Sequence, residues 1–190
     1  MKYKVIYADP PWRYGSKTRL NNGAGKSIKK LSEHYDTMSI EEIKALNVKD
    51  IIDNDSACFM WCTDSHLKEG IEVMEAWGFK YKTIAFNWIK KTKNGNTCVN
   101  VAPWTLKSTE LCLFGTKGAM TKYKKNNSVR QLVEAERSKH SKKPQEVRDR
   151  IVDLFGDVPR LEMFAREPSI GWDCFGNEVE NTISINKQNQ

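Results

Sequence analysis

Nowhere in its 190 residues does the chain carry an apolar run close to 18 residues, so no segment is expected to cross a membrane. It has no Cys-x-x-Cys pair, and its five cysteines are odd in number and sit mostly inside apolar stretches. That pattern excludes a disulfide scaffold and predicts reduced, buried thiols of an intracellular protein. Histidine is scarce: His34, His66 and His140 show no ligand spacing with cysteines or carboxylates, so no metal is expected. No serine or cysteine has a visible His–acid partner set for nucleophilic catalysis. No Gly-x-Gly-x-x-Gly opens a helix. Gly23-Ala24-Gly25-Lys26-Ser27 imitates the end of a phosphate-binding loop, but position 20 is Leu20 where the motif needs glycine, and no strand leads into it. There is no signal-peptide pattern at the start, which points to a cytoplasmic protein. Repeats and linkers are also missing. A single domain is expected over residues 1–180, with a frayed polar tail at 181–190.

Acidic residues are in short supply. Twenty-four Asp and Glu stand against 31 Lys and Arg, leaving a net charge of +7. The excess is clustered: Lys17, Arg19, Lys26, Lys29 and Lys30; then Lys90, Lys91 and Lys93; then Lys117, Lys122, Lys124 and Lys125. Such clusters suit a polyphosphate partner, here read as nucleic acid. Hydrophobic content of 39% is enough for a real core at this length.

What the chain does have is Val5-Ile6-Tyr7-Ala8-Asp9-Pro10-Pro11-Trp12. The apolar run reads as a buried strand. Two prolines then end ladder pairing and hold φ near −65° twice, giving a rigid turn at the carboxyl end of a strand. Open α/β sheets bind their ligands there. Ionised Asp9 is an acceptor only, and a proline carbonyl is a second acceptor. Two acceptors suit an exocyclic amine with two N–H donors, and they would draw its lone pair out of the ring. Trp12 offers a face for stacking a base, and an enzyme working on a base must first take it out of the helical stack.

Along the rest of the chain, Lys4–Ala8 is the first strand and residues 13–34 form a basic loop. Ser39-Ile40-Glu41-Glu42 is a capping box opening a helix to about Leu46. Ala57–Cys62 is a strand, followed by a helix capped by Ser65 with an apolar stripe of Leu67, Ile71, Met74 and Trp77, stopped by Gly78. Phe79–Ile89 and Glu110–Phe114 are strands, and 116–139 is a polar, partly ordered excursion. Pro144 fits the first turn of a helix buried through Val147, Ile151, Leu154 and Phe155, and ended by Gly156. Leu161–Ala165 and Asp173–Gly176 are short strands. The alternation predicts an α/β fold with a largely parallel sheet. Trp61 and Trp88 read as core. Trp104, after Ala102-Pro103 in a loop, reads as a substrate contact, with Tyr14 and Lys26 beside it.

Asp9-Pro10-Pro11-Trp12 resembles the signature of the MT-A70 family of adenine-N6 methyltransferases, in particular the short members carried by bacteria and their viruses. Further blocks in the family's order resemble it too: Phe59–Leu67, Glu75–Phe79, Thr109–Gly118, His140–Pro144, Leu161–Arg166 and Gly171–Glu178. The resemblance implies a Rossmann-like methyltransferase sheet in permuted order, with the catalytic strand first and the cofactor strands last. It implies S-adenosyl-L-methionine as cofactor, and catalysis at Asp9, Pro10, Pro11 and Trp12. The residues expected to touch the cofactor are Asp9, Lys143, Arg166, Asn177 and Glu178. The family's lysine near the Glu110 strand falls on Thr109, so that contact is either absent or supplied by Lys107, and a family histidine falls on Pro168. DNA is favoured over RNA as substrate, and self-association or a partner subunit is expected. Degenerate, non-catalytic relatives lose the Asp or the Trp of the tetrapeptide, and both are intact here.

Overall fold

The structure is a computed structural model that describes residues 2–13, 37–102, 104–137 and 142–186. Its elements are β1 (Tyr3–Ala8), α1 (Ile40–Lys44), β2 (Ile52–Cys62), α2 (Leu67–Ala76), β3 (Lys80–Lys91), β4 (Thr109–Lys117), β5 (Leu132–Glu136), α3 (Gln145–Phe155), β6 (Arg160–Met163) and β7 (Asp173–Phe175).

The strands form one sheet in the order β5-β3-β4-β2-β1-β6-β7. β1 and the second half of β2 are central, and both of their faces are covered, which is why residues 5–8 and 57–62 are uniformly apolar. Side chains then sort by the two-residue period of a strand. Cys58, Met60 and Cys62 join Ile6 and Ala8 on one face, under Ile43 of α1, Val73 and Met74 of α2, and Trp77 just after α2. Ala57, Phe59 and Trp61 join Val5 and Tyr7 on the other, under Val147, Ile151 and Phe155 of α3. The result is helices, sheet, helix in three layers. Trp77 ties its layer together by donating its indole N–H to the Ile43 carbonyl at 2.9 Å.

The capping box is present as expected: Ser39 Oγ accepts from Glu42 N, and Glu42 reaches back to Ser39 N. Ser65 does not cap α2. It lies in a 3₁₀ turn, Asp64–His66, that precedes the helix, and its hydroxyl pairs with Thr63. Pro144 stands one place earlier than expected, just outside α3, where its missing N–H costs nothing.

The sheet is mixed rather than uniformly parallel. β4 is antiparallel to both β2 and β3, whereas β1–β2, β1–β6, β3–β5 and β6–β7 are parallel. The cause is the connection: β3 returns into β4 through a loop with no crossover helix, and such a return is antiparallel. This reversal brings Glu110, near the start of β4, to the carboxyl ends of β1 and β2. It sends Lys117 to the opposite end, where it pairs in register with Ser56. Basic residues 117–125 therefore lie at the end of the sheet opposite Asp9, with Lys122 paired to Asp55 there.

Two other expectations change. The excursion at 116–139 contains β5, an edge strand whose Val133 is buried while Glu134 and Glu136 face out, and Trp88 donates to its Ala135 carbonyl at 3.0 Å. The tail does not fray at residue 180. Thr182 N bonds to Cys174 O at 3.0 Å, Asn47 N bonds to Asn186 O at 2.9 Å, and Ile183 and Ile185 pack on the core. That return covers the outer edge of β7. All five cysteines are unpaired and buried, and burial pushes the Cys62 thiol up to about 12. No described helix is long and apolar enough to cross a membrane.

Candidate active site

Asp9 is the first residue after β1. Its N–H makes the last contact with β6, to the Met163 carbonyl at 3.4 Å, and the two prolines stop the ladder there. The chain then turns tightly, Trp12 N donating to Pro10 O at 2.9 Å, while Pro11 O accepts from Met38 N at 3.0 Å. The Pro10 carbonyl keeps a second lone pair.

Trp12 is more deeply embedded than a free platform. It is buried, its indole N–H donates to the Trp61 carbonyl at 3.1 Å, and one ring face stacks on His66 at 5.5 Å with planes 19° apart. His66 is oriented in turn by Thr63, Oγ1 lying 2.9 Å from Nδ1. A base stacking on Trp12 would use the ring face away from His66.

The carboxylate of Asp9 heads a line of alternating charges. Lys143 Nζ is 2.7 Å from Asp9 Oδ2 and 3.0 Å from Glu110 Oε1, and Glu110 Oε2 is 2.7 Å from Lys90 Nζ. Lys143 is almost wholly buried, with its ammonium 5.5 Å from the Trp61 ring centroid. Burial alone would discharge Lys143, but Asp9 and Glu110 outweigh it and hold its pKa above the usual lysine value. Burial alone would protonate Glu110, but Lys143 and Lys90 outweigh it and keep it below the usual range. Asp9 goes the other way: burial raises it, Glu110 adds to the rise, and Lys143 opposes it. Asp9 is thus the carboxylate of this line whose charge is held least firmly, a common property of reacting groups. Glu110 and Lys90 were not expected at the site. The signal for Glu110 was a lone acid entering an otherwise apolar strand, Glu110-Leu111-Cys112-Leu113-Phe114.

β6 and β7 bring the other expected residues to the same edge. After β6, Phe164 adopts φ of +62°, a rare conformation for a bulky side chain, with its ring stacked on Trp77. The turn carries Ala165 across the end of β7, where Ala165 N bonds to Phe175 O at 3.1 Å and Gly176 packs against the Ala165 backbone. Arg166 emerges from it with Nε 3.9 Å from Glu178 Oε1, and its charge is close enough to act on Asp9. Asn177 and Glu178 are exposed. Asp9, Lys143, Arg166, Asn177 and Glu178 are therefore gathered along the ends of β1, β6 and β7. Trp104 lies 96% exposed between β3 and β4. Lys107 is engaged elsewhere, with Asp64 at 2.7 Å. Tyr14 and Lys26 lie outside the described residues.

Chemically, Arg166 offers a cation that can meet a carboxylate, and Asn177 and Glu178 offer partners for hydroxyls, beside the buried Asp9–Lys143 pair. An α/β protein with ionic and hydrogen-bonding side chains gathered at its strand ends is the class defined by this arrangement. The MT-A70 family profile matches residues 3–178, so the chain belongs to that family, whose members are S-adenosylmethionine-dependent adenine-N6 methyltransferases. It is similar to the type II methyltransferase M.MunI of Mycoplasma sp, at 37% identity over 200 residues that cover 100% of this chain and 83% of that protein. It is also similar to an N(6)-adenosine-methyltransferase MT-A70-like protein of Arabidopsis thaliana, at 28% identity over 97% of this chain and 25% of that protein. The N(6)-adenosine-methyltransferase subunit METTL3 of Danio rerio is 25% identical over 94% of this chain and 28% of its own length. The chain thus spans about a quarter of the length of these plant and fish relatives.

Proposed function

We propose that this chain methylates N6 of adenine in DNA, with Asp9 as the group that holds the target amine. The observation that carries the proposal is the Asp9 carboxylate, set by two prolines at the end of β1 and tied to Lys143 at 2.7 Å. The cofactor supplies an electrophilic methyl on a sulfonium, and the work left to the protein is alignment. Asp9 accepts one N6–H, and the second lone pair of the Pro10 carbonyl accepts the other. Both bonds favour a tetrahedral amine whose lone pair points at the methyl. As the N6–methyl bond forms and the methyl–sulfur bond breaks to leave a neutral thioether, N6 sheds a proton to Asp9 or to water. Lys143 and Arg166 serve the carboxylate of the methionine moiety, and Asn177 and Glu178 serve the ribose. The catalytic strand is the first in the chain and the cofactor half is last, a permuted methyltransferase order. Trp104, Tyr14 and Lys26 are assigned to the substrate side. DNA is favoured because a bacterial relative, matched over the whole of this chain and 83% of its own length, carries the name of a type II methyltransferase.

The test is methyl transfer from labelled S-adenosylmethionine to unmethylated duplex DNA, single-stranded DNA and RNA in parallel, with the product nucleosides identified. N6-methyladenine in DNA is expected. Label confined to RNA would move the substrate, and label at another base or position would end the assignment of Asp9.

The cofactor half makes its own prediction. A Cβ on Gly176 would sit 2.1 Å from the Ala165 carbonyl oxygen and 2.7 Å from its nitrogen. Backbone cannot step aside as a flexible side chain can, so β7 must shift and carry Asn177 and Glu178 with it. Gly176→Ala is expected to weaken cofactor binding by roughly tenfold or more, comparable to a large misplacement of a site. Calorimetry with S-adenosylmethionine checks this, and unchanged affinity would place the cofactor away from β7.

A further inference from the structure

The loop between β3 and β4 carries an apolar cluster that the packing of the protein does not use. Val99, Val101, Trp104 and Leu106 are 59%, 70%, 96% and 65% exposed, and they make up most of the large apolar side chains exposed among the described residues. Yet the base of this loop is firmly built. Asn100 and Lys107 exchange two backbone hydrogen bonds at 2.8 and 2.9 Å, Arg137 donates to the Asn100 side chain, and Lys107 is bound to Asp64. Asp64 lies just past the carboxyl end of β2, and Glu110, three residues after Lys107, belongs to the charged line that reaches Asp9. The apolar tip is therefore anchored on the same sheet edge as the proposed adenine pocket. Cations stand at its base: Arg137 on Asn100, Lys91 paired with Glu134 and Lys107 paired with Asp64.

We propose that this tip is a wedge that enters the base stack of duplex DNA and holds open the gap left by the extruded adenine. The proposal rests on the adenine-N6 reading and adds the form of the substrate: a duplex, whose paired base must be moved out before reaction. Apolar side chains pushed between base steps are a known way to unstack a duplex, and a tryptophan face can replace the lost neighbour. Lysines beside such a tip meet the phosphates.

The test uses the full chain and the adenine mapped by the methylation experiment, in two duplexes that differ only in the opposite strand. One presents thymine opposite the target, the other an abasic site, where extrusion is already easy. Trp104→Ala is expected to slow methylation of the fully paired duplex by roughly tenfold or more, with most of the rate restored on the abasic duplex. Trp104→Phe is expected to retain most of the rate on both. Equal loss on the two duplexes, or no loss on the paired one, would overturn the wedge. A dimer in sedimentation that Trp104→Ala converts to monomer would also overturn it, giving the tip to self-association. A wild-type protein that methylates neither duplex at adenine N6 would instead overturn the underlying reading.

Discussion

Asp9→Ala is expected to lower the methyl-transfer rate by roughly 10²–10⁴-fold, the range seen when one positioned group is removed from a reacting centre. The fold should tolerate the change. Lys143, the buried cation left behind, keeps one carboxylate partner, Glu110 at 3.0 Å, which it then shares with Lys90 at 2.7 Å. Cofactor affinity should change far less than the rate, because Lys143, Arg166, Asn177 and Glu178 remain. Asp9→Asn should fall between the two, since its amide oxygen accepts one bond but carries no charge. Single-turnover rates and calorimetric cofactor affinity, measured on the same preparations, check the expectation. Equal loss of both in Asp9→Ala would make Asp9 a binding residue for the cofactor and not the holder of the amine.

The second large effect is on stability, and it concerns how α3 is fastened to the sheet. Arg148 of α3 grips Glu162 of β6 through both carboxylate oxygens, with Nε to Oε2 at 2.7 Å. Both side chains are almost fully buried, and the guanidinium also lies 5.3 Å from the ring centroid of Tyr7 in β1. Removing one partner of such a pair leaves a bare charge inside the protein, which costs about 3–5 kcal/mol. Arg148→Met is therefore expected to be strongly destabilised in urea unfolding. The double variant Arg148→Met/Glu162→Leu should recover most of the loss, because neither charge then needs a partner. Failure of the second substitution to rescue the first would mean that Arg148 acts through its packing on Tyr7. The clamp also bears on the site. Lys143 stands just before α3, so a loosened helix would carry the ammonium away from Asp9.

The parts of the molecule visible in the sequence are those with local causes. The apolar run into two prolines is a strand with a hard stop whatever surrounds it. The serine and glutamate of the capping box satisfy each other across four residues. Of the stripe at the helical period, Ile71, Met74 and Trp77 pack on the core while Leu67 stays exposed, and Gly156 ends α3 as expected. Ser65 failed as a cap because Thr63 and Asp64 offered it nearer partners in a 3₁₀ turn. The tail was misread because Ile183 and Ile185 look like isolated apolar residues in a polar stretch until an uncovered strand edge is there for the return to cover.

By itself the sequence determined the α/β class, the position of Asp9 at a strand end, the burial of the cysteines and, through the Asp-Pro-Pro-Trp context, membership of the MT-A70 family. Each follows from short-range pattern or from motif. Only the tertiary structure decided that β4 runs backwards, and with it that Glu110 and Lys90 complete the charged line to Lys143 and Asp9. It alone showed that Trp12 is held in the core by Trp61 and His66, and that residues 117–125 lie at the far end of the sheet. Residues 134 apart in the chain, such as Asp9 and Lys143, meet through strand order and crossover direction. Those are set by the packing of whole elements, which no window of neighbouring residues encodes.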